Sequence, residues 1–173
     1  LLLSSAASDV YKRQELNYYR DDYMKKNIPF FNYTDVFKNN EDEFIQVYKD
    51  VCSRGAFILQ SDLFEFERNA AEYLNINNFI GVANGTDAIW LGLKALGIGN
   101  EDEIIMPSHT YIASAAAAHF VGSVPILAEC GSDNMLDPDD IVKRITKKTK
   151  AIMAVQFNGR CCDMDKLIKI SQK

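Results

Sequence analysis

The sequence predicts an α/β fold, a three-layer αβα arrangement around a mostly parallel sheet, and three observations predict it. After Asn78, short apolar runs alternate with helical stretches, the rhythm of repeated βαβ units. The run Phe79-Ile80-Gly81-Val82-Ala83 is apolar throughout, as expected of a strand buried on both faces. Asn84-Gly85-Thr86-Asp87-Ala88 follows it at a strand-to-helix turn, where a Gly-Thr pair reads as a cradle for an anion such as phosphate. Gly85 permits a turn with φ > 0, and the helix beyond presents unpaired N–H groups at its tip. Thr is also a common N-cap and Asp a common first-turn residue, so this turn alone does not name its ligand.

The elements can be justified in order. Asn40-Glu41-Asp42-Glu43 has the Asn-x-x-Glu form of a capping box, and Phe44, Ile45, Tyr48, Val51 and Cys52 recur at helical spacing until Gly55. Ser61 and Asp62 open a second helix, with Leu63, Phe66, Ala70 and Leu74 facing inward and Asn75 near its stop. Four strands are then expected, at Phe79 to Ala83, Glu103 to Met106, Val124 to Ala128 and Ala151 to Phe157. Helices near Asp87 to Leu96, Ile112 to Phe120, Pro138 to Ile145 and Asp163 to Lys173 connect or follow them, the first two closing at Gly97 and Gly122. The Ala-rich run Ala113 to Ala118 suits a helix packed closely on a sheet. Because crossovers are right-handed and ligands bind beyond the carboxyl ends of parallel strands, the loops after Ala83 and Met106 are expected to share one crevice.

Composition excludes several function classes. A formal net charge of −5 with no basic block argues against nucleic acid as a partner. Cys52, Cys130, Cys161 and Cys162 lack paired metal-ligand spacing, so free thiols in a reducing cytoplasm are expected and no metal site is. His109 and His119 are the only histidines, too few for a histidine-built metal or triad site. There is no apolar run of membrane-span length, and Leu1-Leu2-Leu3 is too short for a signal-peptide core. A cytoplasmic protein without membrane contact is expected.

From about Ile28 onward the sequence resembles the DegT, DnrJ, EryC1 and StrS family of sugar aminotransferases, fold-type I enzymes that use pyridoxal 5'-phosphate. The resemblance is carried by the order and spacing of Ile28-Pro29-Phe30, Gly55-Ala56-Phe57-Ile58-Leu59, Phe66-Glu67 with Tyr73-Leu74, Asn84-Gly85-Thr86-Asp87-Ala88 and Leu96-Gly97-Ile98-Gly99. It continues through Asp102 to Pro107, His109-Thr110-Tyr111, Thr149-Lys150-Ala151-Ile152 and Gly159 with Asp163-Met164-Asp165. The resemblance implies a partial large domain of the fold-type I aminotransferases. Residues 1–14, which have no counterpart in the family pattern, are then a non-native or disordered leader; 15–78 form an N-terminal helical segment; 79–173 form a partial cofactor-binding α/β domain truncated at its C-terminus.

The resemblance also assigns candidate site residues. Gly85 and Thr86 supply N–H groups, and Thr86 a hydroxyl, to the cofactor phosphate. Asp87 is expected to offer its N–H while its carboxylate turns away from the anion, or simply to complement the helix dipole. Tyr111 matches the position whose ring stacks on the cofactor. Phe57 lies in a substrate loop, although Gln60-Ser61 stands where relatives often have Gly-Pro. Gln156 occupies a place where many relatives carry an imidazole; it is either a hydrogen-bonding pocket group or a strand-end polar residue held by neighbouring backbone. Family order places the cofactor lysine, and the aspartate that pairs with the pyridine nitrogen, beyond Lys173, and neither Lys94 nor Lys150 matches the former. No catalytic residue is therefore assigned within the chain.

The implied function is the N-terminal part of an aminotransferase that acts on a nucleotide-linked keto sugar, with glutamate as amino donor. Full length, it would work as a homodimer in polysaccharide biosynthesis, and this stretch alone would be inactive. A sugar dehydratase using the same cofactor, or a non-catalytic regulatory protein on the same scaffold, are the alternatives. A generic dinucleotide-binding domain is disfavoured because no Gly-x-Gly-x-x-Gly follows a strand.

Overall fold

Helix-forming sequence dominates the chain before Phe79, and the structure, a computed structural model, shows three helices there among the described residues. The described residues are 29–172; the expected leader over 1–14, the residues 15–28 and Lys173 lie outside them. Asn32 caps α1 (Tyr33–Lys38) by accepting from the Asp35 N–H. α2 (Glu41–Arg54) ends at Gly55, as its periodicity predicts. The capping box expected at Asn40 does not form: Asn40 Nδ2 donates instead to the Val36 carbonyl at 2.8 Å. α1 ends one turn earlier, and its unsatisfied carbonyls compete for that side chain. Phe37 and Phe44 stack with ring centroids 6.2 Å apart and join α1 to α2.

The chain divides into two compact units, the first ending at Ile58 and the second beginning at Leu59. The second opens with α3 (Ser61–Leu74), which stops at Asn75 in the left-handed region, φ 52°. The elements that follow are α4 (Gly85–Ala95), β1 (Glu103–Pro107), α5 (Ala113–Phe120), β2 (Val124–Ala128), α6 (Pro138–Arg144), β3 (Thr149–Ile152), a 3₁₀ turn (Phe157–Gly159) and α7 (Met164–Ser171). The strands form a parallel sheet in the order β2-β1-β3, with Ile105 opposite Ile126 on one side and Ile152 on the other.

Alternation along β1 sorts the helices into two layers. Ile104 and Met106 face Leu93 and Ile98 at the end of α4 and Ala117 and Ala118 of α5. Ile105, between them, faces the opposite way, toward Ile141 of α6 and Leu167 of α7. The expected three-layer αβα arrangement follows directly. α5 can sit close on the sheet because its contact residues are alanines with no exposed surface. Gly97 and Gly122 follow α4 and α5 with φ of 74° and 82°, a conformation open to glycine at little cost, and turn the chain back toward the next strand.

Two strand expectations need correction. Phe79 to Ala83 is not a strand: it has no ladder partner among the described residues, and its Gly81 N–H donates to Glu67 Oε1 of α3 at 2.8 Å. An apolar run specifies burial, but a strand also needs a hydrogen-bonding neighbour, and both sides of β1 are taken by β2 and β3. The last strand is shorter than the expected Ala151 to Phe157. The Met153 N–H still reaches the Ile105 carbonyl at 2.8 Å, but the next ladder donor would be Pro107, which has no N–H.

One carboxylate ties α6 to the end of β2. Asp140 Oδ2 accepts from the Glu129 N–H at 2.8 Å and from Arg144 Nε at 2.5 Å. The backbone donor first, then Arg144, holds the Asp140 carboxyl below the usual carboxylate range. A depressed folded-state value means that this stability is present above the unfolded value and is lost as pH falls through the folded one. Asp140→Asn is therefore expected to lower Tm of the full-length protein at neutral pH, with the gap to wild type narrowing only as pH falls below the ordinary carboxylate range. A gap that stays constant over a Tm-against-pH series contradicts this account.

No helix among the described residues is long and apolar enough to cross a membrane.

Candidate functional site

The tip of α4 is built by Asn84, Asp87 and a Gly-Thr pair. Asn84 is extended, with φ −164° and ψ 172°, and it makes the turn; Gly85 is already the first helical residue and does not take the positive φ expected of it. What Gly85 contributes is open space, since a Cβ placed there would meet nothing within 4 Å. Asn84 Oδ1 accepts from the Asp87 N–H at 2.9 Å, and the Asn84 carbonyl accepts from the Ala88 N–H at 3.1 Å. This corrects the expectation that the Asp87 N–H faces an anion: a side-chain cap already uses it. The N–H groups of Gly85 and Thr86 have no acceptor among the described residues, and they share the tip with the Thr86 hydroxyl.

Asp87 is held from both ends of its carboxylate. Trp90 Nε1 donates to Oδ1 at 2.8 Å and Asn84 Nδ2 to Oδ2 at 3.0 Å. Helical side chains lean toward the N-terminus, so an indole at position 90 reaches back one turn to position 87. The 84-87-90 spacing carries this set in the sequence; Trp90 is the member that motif reading overlooked.

Topology puts Tyr111 at the same edge. α4 leads into the amino end of β1 and packs on one face of the sheet, so its N-terminus lies at the carboxyl end of the strands. α5 starts beyond the carboxyl end of β1 and packs on that same face. Thr86 and Tyr111 thus sit at the starts of neighbouring helices, on one face and one edge of the sheet. The Tyr111 side is open to solvent, at 75% exposure. A hydrogen bond of 2.8 Å between Thr110 Oγ1 and Ser114 Oγ holds the turn that carries it.

Other loops gather at this edge. The Ser108 N–H donates to the Ala128 carbonyl at 2.8 Å, and the His109 and Phe157 rings lie 4.3 Å apart, joining the segments after β1, β2 and β3. Gln156 is engaged within the chain: its Oε1 accepts from the Cys162 N–H at 2.6 Å and its Nε2 lies 3.4 Å from Met164 Sδ. Phe57 belongs to the first compact unit and is 69% exposed. A recess of about 250 Å³ lies on the α6 and α7 side of the sheet, lined in part by Asp133, Asp137, Asp163 and Lys166. Its carboxylates serve neighbouring backbone or Lys166, and no cluster among the described residues could hold a metal ion.

Known proteins match this chain at two levels. In sequence it is 40% identical over 147 residues to the dTDP-3-amino-3,6-dideoxy-alpha-D-galactopyranose transaminase of Aneurinibacillus thermoaerophilus, which covers 84% of this chain and 40% of that protein. In structure it matches S. venezuelae DesV with a TM-score of 0.81 at 36% identity, over 84% of this chain and 39% of the other. It matches Bacillus subtilis NtdA, solved with bound cofactor PMP, with a TM-score of 0.81 at 32% identity, over 89% of this chain and 36% of the other. The chain spans about two fifths of the length of these relatives. A family model for the DegT/DnrJ/EryC1/StrS aminotransferases matches residues 38–173, and to that family the chain belongs.

Proposed function

We propose that the full-length protein carrying this chain is a pyridoxal 5'-phosphate-dependent aminotransferase of nucleotide-linked keto sugars, and that this stretch supplies half of its phosphate site. The observation that supports the reading most is the tip of α4. Two N–H groups without acceptors among the described residues, an adjacent hydroxyl and no side chain at Gly85 form a donor set that suits a phosphate. Asp87, whose charge would oppose an anion, is engaged by Asn84 and Trp90.

Gly85 and Thr86 would hold the phosphate, and Tyr111, on the same edge and face, would lie against the cofactor ring. Bound there, the cofactor supplies an electron-withdrawing ring for amino transfer. The chain's own residues bind and orient; proton transfer belongs to groups beyond residue 173, as does the lysine that carries the cofactor. The A. thermoaerophilus relative makes a dTDP-linked amino sugar, which makes dTDP-linked keto sugars the first substrates to try. Glutamate as the donor, a homodimeric assembly and a role in polysaccharide biosynthesis in the cytoplasm complete the reading.

The test is incubation of the full-length protein with glutamate, pyridoxal 5'-phosphate and a panel of dTDP-, GDP- and UDP-linked keto sugars, read by mass spectrometry. Conversion of a carbonyl to an amine, dependent on glutamate, is the expected result. A deoxygenated product without nitrogen would replace this reading with the dehydratase one, and cofactor binding without turnover of any sugar would replace it with a regulatory role.

A further inference from the structure

We propose that Trp90 is a positioning residue for phosphate binding at the tip of α4: its indole N–H keeps the Asp87 carboxylate on the flank of the helix and out of the anion's place. The inference rests on the phosphate reading above and adds to it a residue that acts without touching the ligand.

Asp87 stands at the third position of α4, within the turn whose N–H groups point toward the tip. A carboxylate there favours the helix dipole but repels a phosphate dianion, and the repulsion grows as the two approach. Each oxygen has one donor, 2.8 Å away in Trp90 and 3.0 Å away in Asn84. Asn84 is the weaker restraint, because it is exposed and water competes for its bond to the Asp87 carboxylate. Trp90 is the firmer anchor: it is half-buried, its ring packs on the core formed by Leu93, Ile104 and Met106, and its N–H is fixed where that packing places it. Without the N–H, the carboxylate is free to rotate toward the tip, where it competes with phosphate for the Gly85 and Thr86 donors.

The experiment measures dissociation constants of pyridoxal 5'-phosphate and of pyridoxal, which lacks the phosphate, for the full-length protein by titration calorimetry. Their ratio isolates the contribution of the phosphate. Trp90→Phe is expected to shrink the ratio about 10-fold, the size of one charge-assisted hydrogen bond, and Trp90→Phe/Asp87→Asn to restore it. Trp90→His, which keeps a ring N–H, is expected to fall between wild type and Trp90→Phe. Equal weakening of both ligands, or failure of Asp87→Asn to restore the ratio, overturns the proposal in favour of a packing role. Failure of both Phe-containing variants to fold does so too. A wild-type ratio near one overturns the phosphate site itself, and the role of Trp90 with it.

Discussion

Ile105→Ala is expected to lower the unfolding free energy of the full-length protein by about 3 kcal/mol, the middle of the range for truncating a buried isoleucine. Ile105 has no exposed surface and occupies the centre of the middle strand. It touches Ile126 and Ile152 across the sheet and the layer of Ile141 and Leu167 above it, all in regular secondary structure that has little freedom to collapse into a void. The cost therefore includes the lost burial of three carbons and the cavity they leave. Denaturant titration reads it as a lower midpoint with an unchanged slope. A loss below about 0.5 kcal/mol, the scale of a surface substitution, would mean that β1 is not the centre of the core.

The second large effect concerns the ligand. Thr86→Val keeps the shape of the side chain and removes its hydroxyl, so on the proposed reading it would delete one hydrogen bond to the phosphate while the Gly85 and Thr86 backbone donors remain. Hydrogen bonds to charged groups contribute about 1.5–3 kcal/mol, which corresponds to a loss of roughly 10- to 100-fold in affinity for pyridoxal 5'-phosphate. The same substitution is expected to leave the affinity for pyridoxal near its wild-type value. Loss of both affinities together would indicate a damaged helix start, and loss of neither would remove Thr86 from the site.

Some of this was legible from residue order alone. The boundaries of α2, α3 and α5 follow from apolar spacing and from Gly55, Asn75 and Gly122, because a helix that runs into a residue able to adopt positive φ stops there. The βαβ rhythm read after Asn78 placed parallel β1 and β2 nearly to the residue. Phe79 to Ala83 misled for a physical reason: periodicity reports burial, whereas pairing depends on a neighbour that may lie anywhere in the sequence. Pro107 limited β3 from the adjoining strand, a restraint that no window on residues 151–157 contains.

The candidate site divides along the same line. Sequence by itself determined the donor types, Gly85 and Thr86 at a helix start and Tyr111 at another, since these depend on residue identity and local turn chemistry. Only the tertiary structure decided that the two starts share one face and one edge of the sheet, because that depends on the direction in which α4 and α5 run against β1. It also decided which first-turn N–H groups remain available, as Asn84 takes one that motif reading had reserved for the ligand, and it revealed Trp90 behind Asp87. Hydrogen-bond partners are chosen by distance and angle between groups, and those exist only once the chain has folded.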